Sequence, residues 1–200
     1  TGDGVGVGDQ PGAKPVFDLD AVSLLDTARR LRDDGLYRSG RKLTGRPHLF
    51  LGAVDNPFVP PHDLRPLRLG RKIAAGARFV QTQYCFDVAM LARYMASVRA
   101  EGLHERCHIL VGVGPLVSAR SARWMRAHVP GVHIPDEVVA RLESPRDPED
   151  EGVRQCVETI EAIRAIEGVS GIHLMAPKRE HLIGAIVSRS RVLADRPRAS

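Results

Sequence analysis

Two glutamines, Gln81 and Gln83, have the side-chain chemistry and spacing to hold a ligand. They lie two positions apart in the strand-like segment F-V-Q-T-Q-Y-C-F (79–86), so both side chains lie on one face of the strand. Because a buried amide without a partner costs about 1–3 kcal/mol, each must be hydrogen-bonded. Two interpretations stay open: a network within the core or at the strand end, or edge-on binding of a ligand amide or heteroaromatic ring.

Three further side chains are weaker candidates. Asp3 lies in the glycine-rich segment G-D-G-V-G-V-G-D (2–9), which is neither a dinucleotide fingerprint nor a Walker sequence, although a carboxylate beside glycines can approach a ligand closely. Lys72 lies on a predicted helix, where a solvated surface lysine is the simplest interpretation. Cys85 is predicted on the face of the two glutamines, as a small buried hydrophobe rather than a nucleophile. The three Cys lack metal-ligand spacing, so we expect reduced thiols, and we expect none of the eight His to form a metal site.

The composition is that of a globular domain. Of 200 residues, 43% are hydrophobic, 26% are charged and only 4% are aromatic, which favours helices packed on an aliphatic sheet. No apolar run approaches the ~20 residues of a membrane span, so we expect a cytoplasmic protein with no membrane partner. The net charge of +5 is dispersed, and the densest basic stretch (38–46) lacks interleaved aromatic residues, so we expect no nucleic-acid partner. A phosphate-rich small molecule suits a few of these cations equally well.

Apolar periodicity predicts the elements that position these residues. We predict a loop over 1–19, one helix and four strand–helix units over 20–192, and a flexible tail over 193–200. The predicted strands are 49–54, 79–86, 109–113 and 171–175, and the first is a run typical of strands buried on both faces. The predicted helices are 20–35, 64–77, 87–102, 118–129, 138–142, 152–166 and 182–192. We predict Asp20, Asp87 and Ser118 as N-caps.

Strands that alternate with helices imply parallel pairing through right-handed crossovers. Four strands make either half of a (β/α)₈ barrel, which typically needs ~250 residues, or a small doubly wound sheet. Asp55-Asn56, Gln83 and 177–179 come at or near the carboxyl ends of predicted strands, where active sites form in both architectures.

Several motifs, taken in order, resemble those of the methylenetetrahydrofolate reductase family. They are T-G-D (1–3), A-K-P-V-F-D-L-D (13–20), N-P-F-x-P-P (56–61), R-K-I-x-A-G-A-x-F-V-Q-T-Q (71–83), F-D (86–87), G-V-x-P-L (112–116), V-P-G-V-H-I-P-D-E (129–137) and G-I-H-L-M (171–175). The resemblance implies a (β/α)₈ TIM barrel, of which only about the last four strand–helix units are present. It also implies the family's activity in one-carbon and methionine metabolism: flavin-mediated hydride transfer from NAD(P)H to 5,10-methylenetetrahydrofolate, giving 5-methyltetrahydrofolate, with FAD, or alternatively FMN, as the cofactor.

The resemblance also implies roles for individual residues. Asp3 matches a catalytic Asp near flavin and folate, Lys72 a flavin-contacting Lys, Gln83 the Gln that binds folate or nicotinamide, and Arg179 an Arg that some members place against folate. The chain reads V-D-N-P-F (54–58) where many members have Y-P-E-x-H, which leaves FAD versus FMN open. The family's general-acid Glu belongs to the first barrel strand, and this chain is expected to begin after the fourth.

We therefore expect the isolated chain to be inactive and to expose the edges of an unclosed sheet. A homo-oligomer or a partner subunit that completes the barrel would cover those edges. The alternative from another class is a non-catalytic folate- or flavin-binding barrel subunit that needs a partner.

Overall fold

Four parallel strands form one sheet in the computed structural model, which describes residues 12–14, 18–143 and 147–194. The strands are β1 (Gly52–Asp55), β2 (Phe79–Tyr84), β3 (His108–Val113) and β4 (Gly171–Leu174), and their order in the sheet is their order in the chain. A doubly wound sheet reverses its strand order at a switch point, whereas a barrel adds each strand beside the last. The sequential order therefore favours the barrel-type alternative.

Seven α-helices connect or flank the strands within the described ranges. They are α1 (Ala21–Asp33), α2 (Leu64–Ala74), α3 (Val88–Ala100), α4 (Ala119–His128), α5 (Asp136–Ala140), α6 (Pro148–Arg164) and α7 (Ile183–Ser190), with 3₁₀ turns at Leu103–Glu105 and Glu180–Leu182. The three predicted N-caps are confirmed: Asp20, Asp87 and Ser118 each accept a hydrogen bond from a backbone N–H in the first helical turn. None of these helices combines the length and apolar character that a membrane span needs.

The main core lies on one face of the sheet. Val80 and Ile109 point from β2 and β3 into a cluster with side chains from α2, α3, α6 and α7. Leu69, Leu91 and Ile186 are among the fully buried members that these helices contribute. Helices α2, α3, α6 and α7 all pack on this face of the sheet. The opposite face therefore lines a cleft, as the inner face of a barrel would.

The first strand differs from its prediction. It runs over Gly52–Asp55 rather than 49–54, and the expectation that this run is buried on both faces is wrong. The side chains of Phe50 and Val54 are 73% and 72% exposed. The reason is position: β1 is an edge strand and lies next to the uncovered face, and the ring of Phe50 stacks on that of Phe79 with 5.4 Å between the centroids.

A β-bulge near the end of β2 sets which side chains face the cleft. Gln81 pairs with Leu110 and Tyr84 pairs with Gly112. An advance of three residues along β2 therefore matches an advance of two residues along β3. The bulge breaks the alternation of faces, so Cys85 lies in the helix-side core at 1% exposure. Cys85 is buried as predicted, but its predicted place on the face of the glutamines is wrong.

A second, smaller core anchors the segment between α4 and α6. It contains Leu116, Ile134 and Val139 among others. Arg141 ties this segment to α6, because its Nε donates to Glu151 at 2.8 Å and its guanidinium also bonds Glu158 at 2.6 Å. Arg141 is thereby tied to α6, and Gly131 of the same segment contacts Asn56, which follows β1.

We predict that Gly112→Ala destabilises the protein by about 1–3 kcal/mol, because a Cβ there would lie 2.8 Å from the backbone oxygen of Gln83 and from Met175 Cε, closer than real contacts allow. Thermal denaturation measures the effect. Gly184→Ala in α7 is the matched control: a Cβ there meets nothing within 4 Å, so the helix should gain about 0.5–1 kcal/mol. Equal melting temperatures for the two variants would contradict this packing.

Candidate functional site

A cleft of about 640 Å³ opens at the carboxyl ends of the strands, on the uncovered face of the sheet. It is lined by Val22, Val54, Asp55, Asn56, Arg65, Arg68, Arg71, Lys72, Gln81, Thr82, Gln83, Pro130, His173 and Met175. Its volume is within the range of ~300–1,000 Å³ typical of small-molecule sites. The loop after β1, helix α2 and the inward face of β2 and β4 thus build a single concave surface.

A buried carboxylate, that of Asp55 at the end of β1, fixes one wall of the cleft. Its Oδ1 accepts a hydrogen bond from Lys72 Nζ at 2.9 Å, and its Oδ2 accepts one from the hydroxyl of Tyr94 at 2.6 Å. Lys72 Nζ also donates to the backbone oxygen of Val54 at 2.6 Å. The side chain of Asp55 is 3% exposed and that of Lys72 is 17% exposed, so Lys72 is not the solvated surface lysine that sequence position indicated.

Tyr94 holds this carboxylate from the helix side. Burial, together with the adjacent Asp55 carboxylate, raises the pKa of Tyr94 far above its ordinary value, so its hydroxyl remains a proton donor. Lys72 uses two of its three ammonium protons on Val54 and Asp55. Its third proton is available to a group in the cleft.

The loop after β1 and the segment after α4 meet at the rim of the cleft. Asn56 accepts from the backbone N–H of Phe58 at 3.0 Å and donates to the backbone oxygen of Gly131 at 3.1 Å. Gly131 has φ +75°, and a Cβ there would collide with the Asn56 amide, so this position requires glycine. The V-P-G motif thus brings Pro130 over the end of β2.

The two glutamines have different partners. Gln83 accepts from the backbone N–H of Tyr84 at 3.0 Å and makes a long contact of 3.5 Å from Nε2 to the oxygen of Pro130. Gln81 directs its Nε2 to His173 Nδ1, at 3.2 Å. Both side chains line the cleft and both are hydrogen-bonded, so the two interpretations of the pair are compatible: the amides are satisfied within the protein and remain accessible to a ligand.

Helix α2 lines the cleft with cations three residues apart. Arg65 is occupied by the loop, because it donates to the backbone oxygens of Val59 at 2.6 Å and Pro60 at 2.8 Å. Arg68 and Arg71 have no hydrogen-bond or ion-pair partner in the part of the chain that the structure describes, and both side chains are exposed. With Lys72 they make this end of the cleft positive, which suits an anionic part of a ligand.

The structure brings together two of the four residues that the resemblance assigned. Lys72 and Gln83 line one cleft. Arg179 is not among the lining residues: it is 48% exposed and lies 3.9 Å from Glu149. Asp3 lies outside the described residues.

Several residues of the site were not singled out from the sequence. Tyr94 lies on α3 at a position with helical apolar spacing, and nothing in the sequence indicates that its hydroxyl meets Asp55. The sequence pattern that could have identified the cations is the three-residue spacing of Arg65, Arg68 and Arg71, because residues three apart on a helix share a face. His173 could have been identified from its position near the carboxyl end of the last predicted strand.

The cysteines take no part in the cleft. Cys85, Cys107 and Cys156 are free and buried. Burial raises the pKa of Cys85 and Cys156 to about 12 and that of Cys107 to about 11, so all three are protonated and unreactive at neutral pH. The described part of the chain also contains no group of three or more His, Cys, Asp or Glu side chains that could hold a metal ion.

The fold and the cleft define an α/β protein with sequential parallel strands and a ligand site at their carboxyl ends. A family model described as methylenetetrahydrofolate reductase matches residues 61–191, and the chain belongs to this family. A relative from Caenorhabditis elegans, described as a probable methylenetetrahydrofolate reductase (NADPH), is 25% identical over 185 residues, which cover 90% of this chain. The chain spans only 26% of that relative's length.

A solved structure of an uncharacterised protein from Clostridium thermocellum has a similar fold. Its description states that it binds two copies of 5-methyl-5,6,7,8-tetrahydrofolic acid. The TM-score is 0.57 at 17% identity, and the likeness covers 90% of this chain and 71% of that one. At this identity the likeness shows the fold alone.

We predict that Asp55→Ala lowers the free energy of unfolding by about 2–4 kcal/mol, because it leaves the buried Tyr94 hydroxyl and the Lys72 ammonium without their shared acceptor. Urea denaturation measures this. Asp26→Ala is the matched control, since Asp26 pairs with Arg29 on the surface and should cost no more than about 1 kcal/mol. Equal losses in the two variants would show that Asp55 carries no special role in the fold.

Proposed function

We propose that the cleft binds a reduced folate and a flavin, and that the chain forms part of the catalytic barrel of a methylenetetrahydrofolate reductase. The observation that carries the proposal is the placement of Gln83 and Lys72 in one cleft at the carboxyl ends of parallel strands. Family membership supports it. The folates named for the Clostridium thermocellum protein support a folate as the ligand.

Gln83 is suited to hold the ring of a folate. Its Oε1 is fixed by the backbone N–H of Tyr84, whereas the only contact of its Nε2 with the described residues is the long one to Pro130. The amide N–H can therefore turn to an acceptor atom of a pterin ring at little cost. The Oε1 has a second lone pair for a ring N–H, so one amide can read a neighbouring donor and acceptor.

The donor set of the cleft fits a flavin nucleotide. Arg68, Arg71 and Lys72 supply cations for phosphate groups, and the amide of Gln81 or Gln83 suits the carbonyl and N–H groups of the ring. The flavin, when bound, supplies hydride transfer between a reduced nicotinamide, NADH or NADPH, and the folate. Both FAD and FMN carry the phosphate that these cations would bind.

We further propose that these four units are the last four of a (β/α)₈ barrel. The sequential parallel order, the helix layer on one face and the exposed apolar residues Phe50 and Val54 beside the β1 edge support this. The remaining barrel strands would pair with the open edges, supplied within the full-length protein, by a second copy or by a partner subunit. On this proposal the 200 residues alone are inactive, because the proton donor that the resemblance assigns lies on the first barrel strand.

One observation favours a second candidate, a non-catalytic folate- or flavin-binding subunit. In the described ranges, Asp55 is the only carboxylate that lines the cleft, and Tyr94 and Lys72 already occupy its oxygens. No free carboxyl group of the described residues is thus placed to protonate a leaving nitrogen. Turnover by the natural full-length protein would decide for the enzyme.

We predict that the natural full-length protein purifies with flavin absorbance, and that Gln83→Ala slows folate-dependent flavin reoxidation ~10²-fold, if the amide acts mainly in the transition state. Stopped-flow spectroscopy at the flavin band measures the rate. Gln155→Ala is the control, because Gln155 lies on α6 and bonds Glu151 outside the cleft. A colourless protein that neither FAD nor FMN reconstitutes would count against flavin chemistry, and an unchanged rate in Gln83→Ala would make Gln83 a structural residue.

A further inference from the structure

Gln81 and His173 form a side-chain pair on the floor of the cleft that the proposed function does not use. Their contact joins Gln81 Nε2 to His173 Nδ1 at 3.2 Å. An amide nitrogen can only donate, so Nδ1 of the ring must accept. The neutral imidazole therefore carries its proton on Nε2.

A glycine of β3, Gly112, lies next to one member of the pair. Gln81 lies on β2 and His173 on β4, so the two side chains meet above the intervening strand β3. The residue of β3 beside His173 is Gly112, where a Cβ would lie 2.8 Å from Met175 Cε. Gly112 therefore adds no side chain to β3 beside the imidazole.

The second ring nitrogen of His173 faces the cleft. His173 lines the cleft, and no partner for its Nε2 exists in the part of the chain that the structure describes. Among those residues, the one buried side-chain nitrogen or oxygen without a hydrogen bond is His104 Nδ1, so His173 Nε2 is accessible rather than buried. Among the described lining residues the one carboxylate is that of Asp55, which is held by Lys72 and Tyr94 and does not compete for this proton.

We propose that His173 is a ligand-binding residue that donates its Nε2–H to a ring nitrogen or carbonyl oxygen of a heteroaromatic ligand, and that Gln81 is the positioning residue that fixes this tautomer. The ligand class rests on the proposed function, since the rings in question are those of a folate or a flavin. The tautomer assignment rests on the Gln81–His173 geometry alone. Gln81 and Gln83, on one face of β2, thus have different roles: Gln83 contacts the ligand directly and Gln81 acts through His173.

The tautomer is tested by NMR of ¹⁵N-histidine-labelled full-length protein above the pH at which the ring is neutral, with His173→Phe to assign the signal. We expect a protonated Nε2 and an unprotonated Nδ1 in the natural protein. Gln81→Leu should produce a mixture of tautomers, and Gln81→Glu, which offers only acceptor oxygens, should move the proton to Nδ1. An Nδ1–H tautomer in the natural protein, or the same spectrum in Gln81→Leu, would overturn the role of Gln81.

Ligand binding is tested by calorimetric titration of the same full-length protein with 5-methyltetrahydrofolate and with FMN. His173→Phe removes the donor and should weaken one of the two ligands ~10-fold, the cost of about one hydrogen bond to a buried acceptor. His173→Gln places an amide N–H near the position of Nε2 and should keep affinity within ~3-fold of the natural protein, while Gln81→Leu should lie between the two.

His181→Phe is the matched control, because His181 pairs with Glu149 outside the cleft, and its affinities should not change. If His173→Phe binds both ligands as the natural protein does, the inference is wrong. If the natural protein binds neither ligand, the proposed function fails, and the ligand-binding role of His173 fails with it. The tautomer experiment then still decides whether Gln81 positions the ring.

Discussion

The carboxylate of Asp55 is the contact on which the geometry of the cleft depends. It ends the edge strand β1, and its two oxygens bind side chains from two different helices, Lys72 of α2 and Tyr94 of α3. A charge buried this deeply is stable only when its oxygens are hydrogen-bonded. The same bonds hold the Lys72 ammonium at the cleft wall and fix where the loop after β1 begins. Stability of the edge strand and placement of a candidate ligand-binding cation therefore have one physical cause.

The cleft exists because the sheet is covered by the core helices on one face. Apolar residues of β2 and β3, such as Val80 and Ile109, pack against the helix layer. Gln81 and Gln83 of β2 and His173 of β4 line the cleft on the opposite face. A doubly wound sheet would bury these amides under a second helix layer. On the proposed function, the uncovered face is the surface on which a folate and a flavin would meet, and the polar side chains there would serve ligand binding rather than packing.

Sequence periodicity was sufficient to predict the local structure and part of the candidate site. The caps at Asp20, Asp87 and Ser118 followed from residue type and position, and the pairing of Gln81 with Gln83 on one face followed from the two-residue repeat of a strand. Cys85 was placed on the wrong face because one extra residue in β2 breaks that repeat, and no local pattern marks the bulge. The exposure of Val54 depends on the position of β1 at the sheet edge, which a single apolar run does not encode. The hydroxyl contact of Tyr94 with Asp55 joins residues 39 positions apart.

A crystal structure of the natural full-length protein with 5-methyltetrahydrofolate would test whether the cleft on the uncovered face of the sheet is the folate site. We expect the pterin ring over the carboxyl ends of β2 and β4, with a hydrogen bond from the amide of Gln83 and the Nε2 of His173 directed at the ligand. Folate bound elsewhere, for example beside Arg179 and Glu149 with the cleft left to solvent, would contradict this expectation.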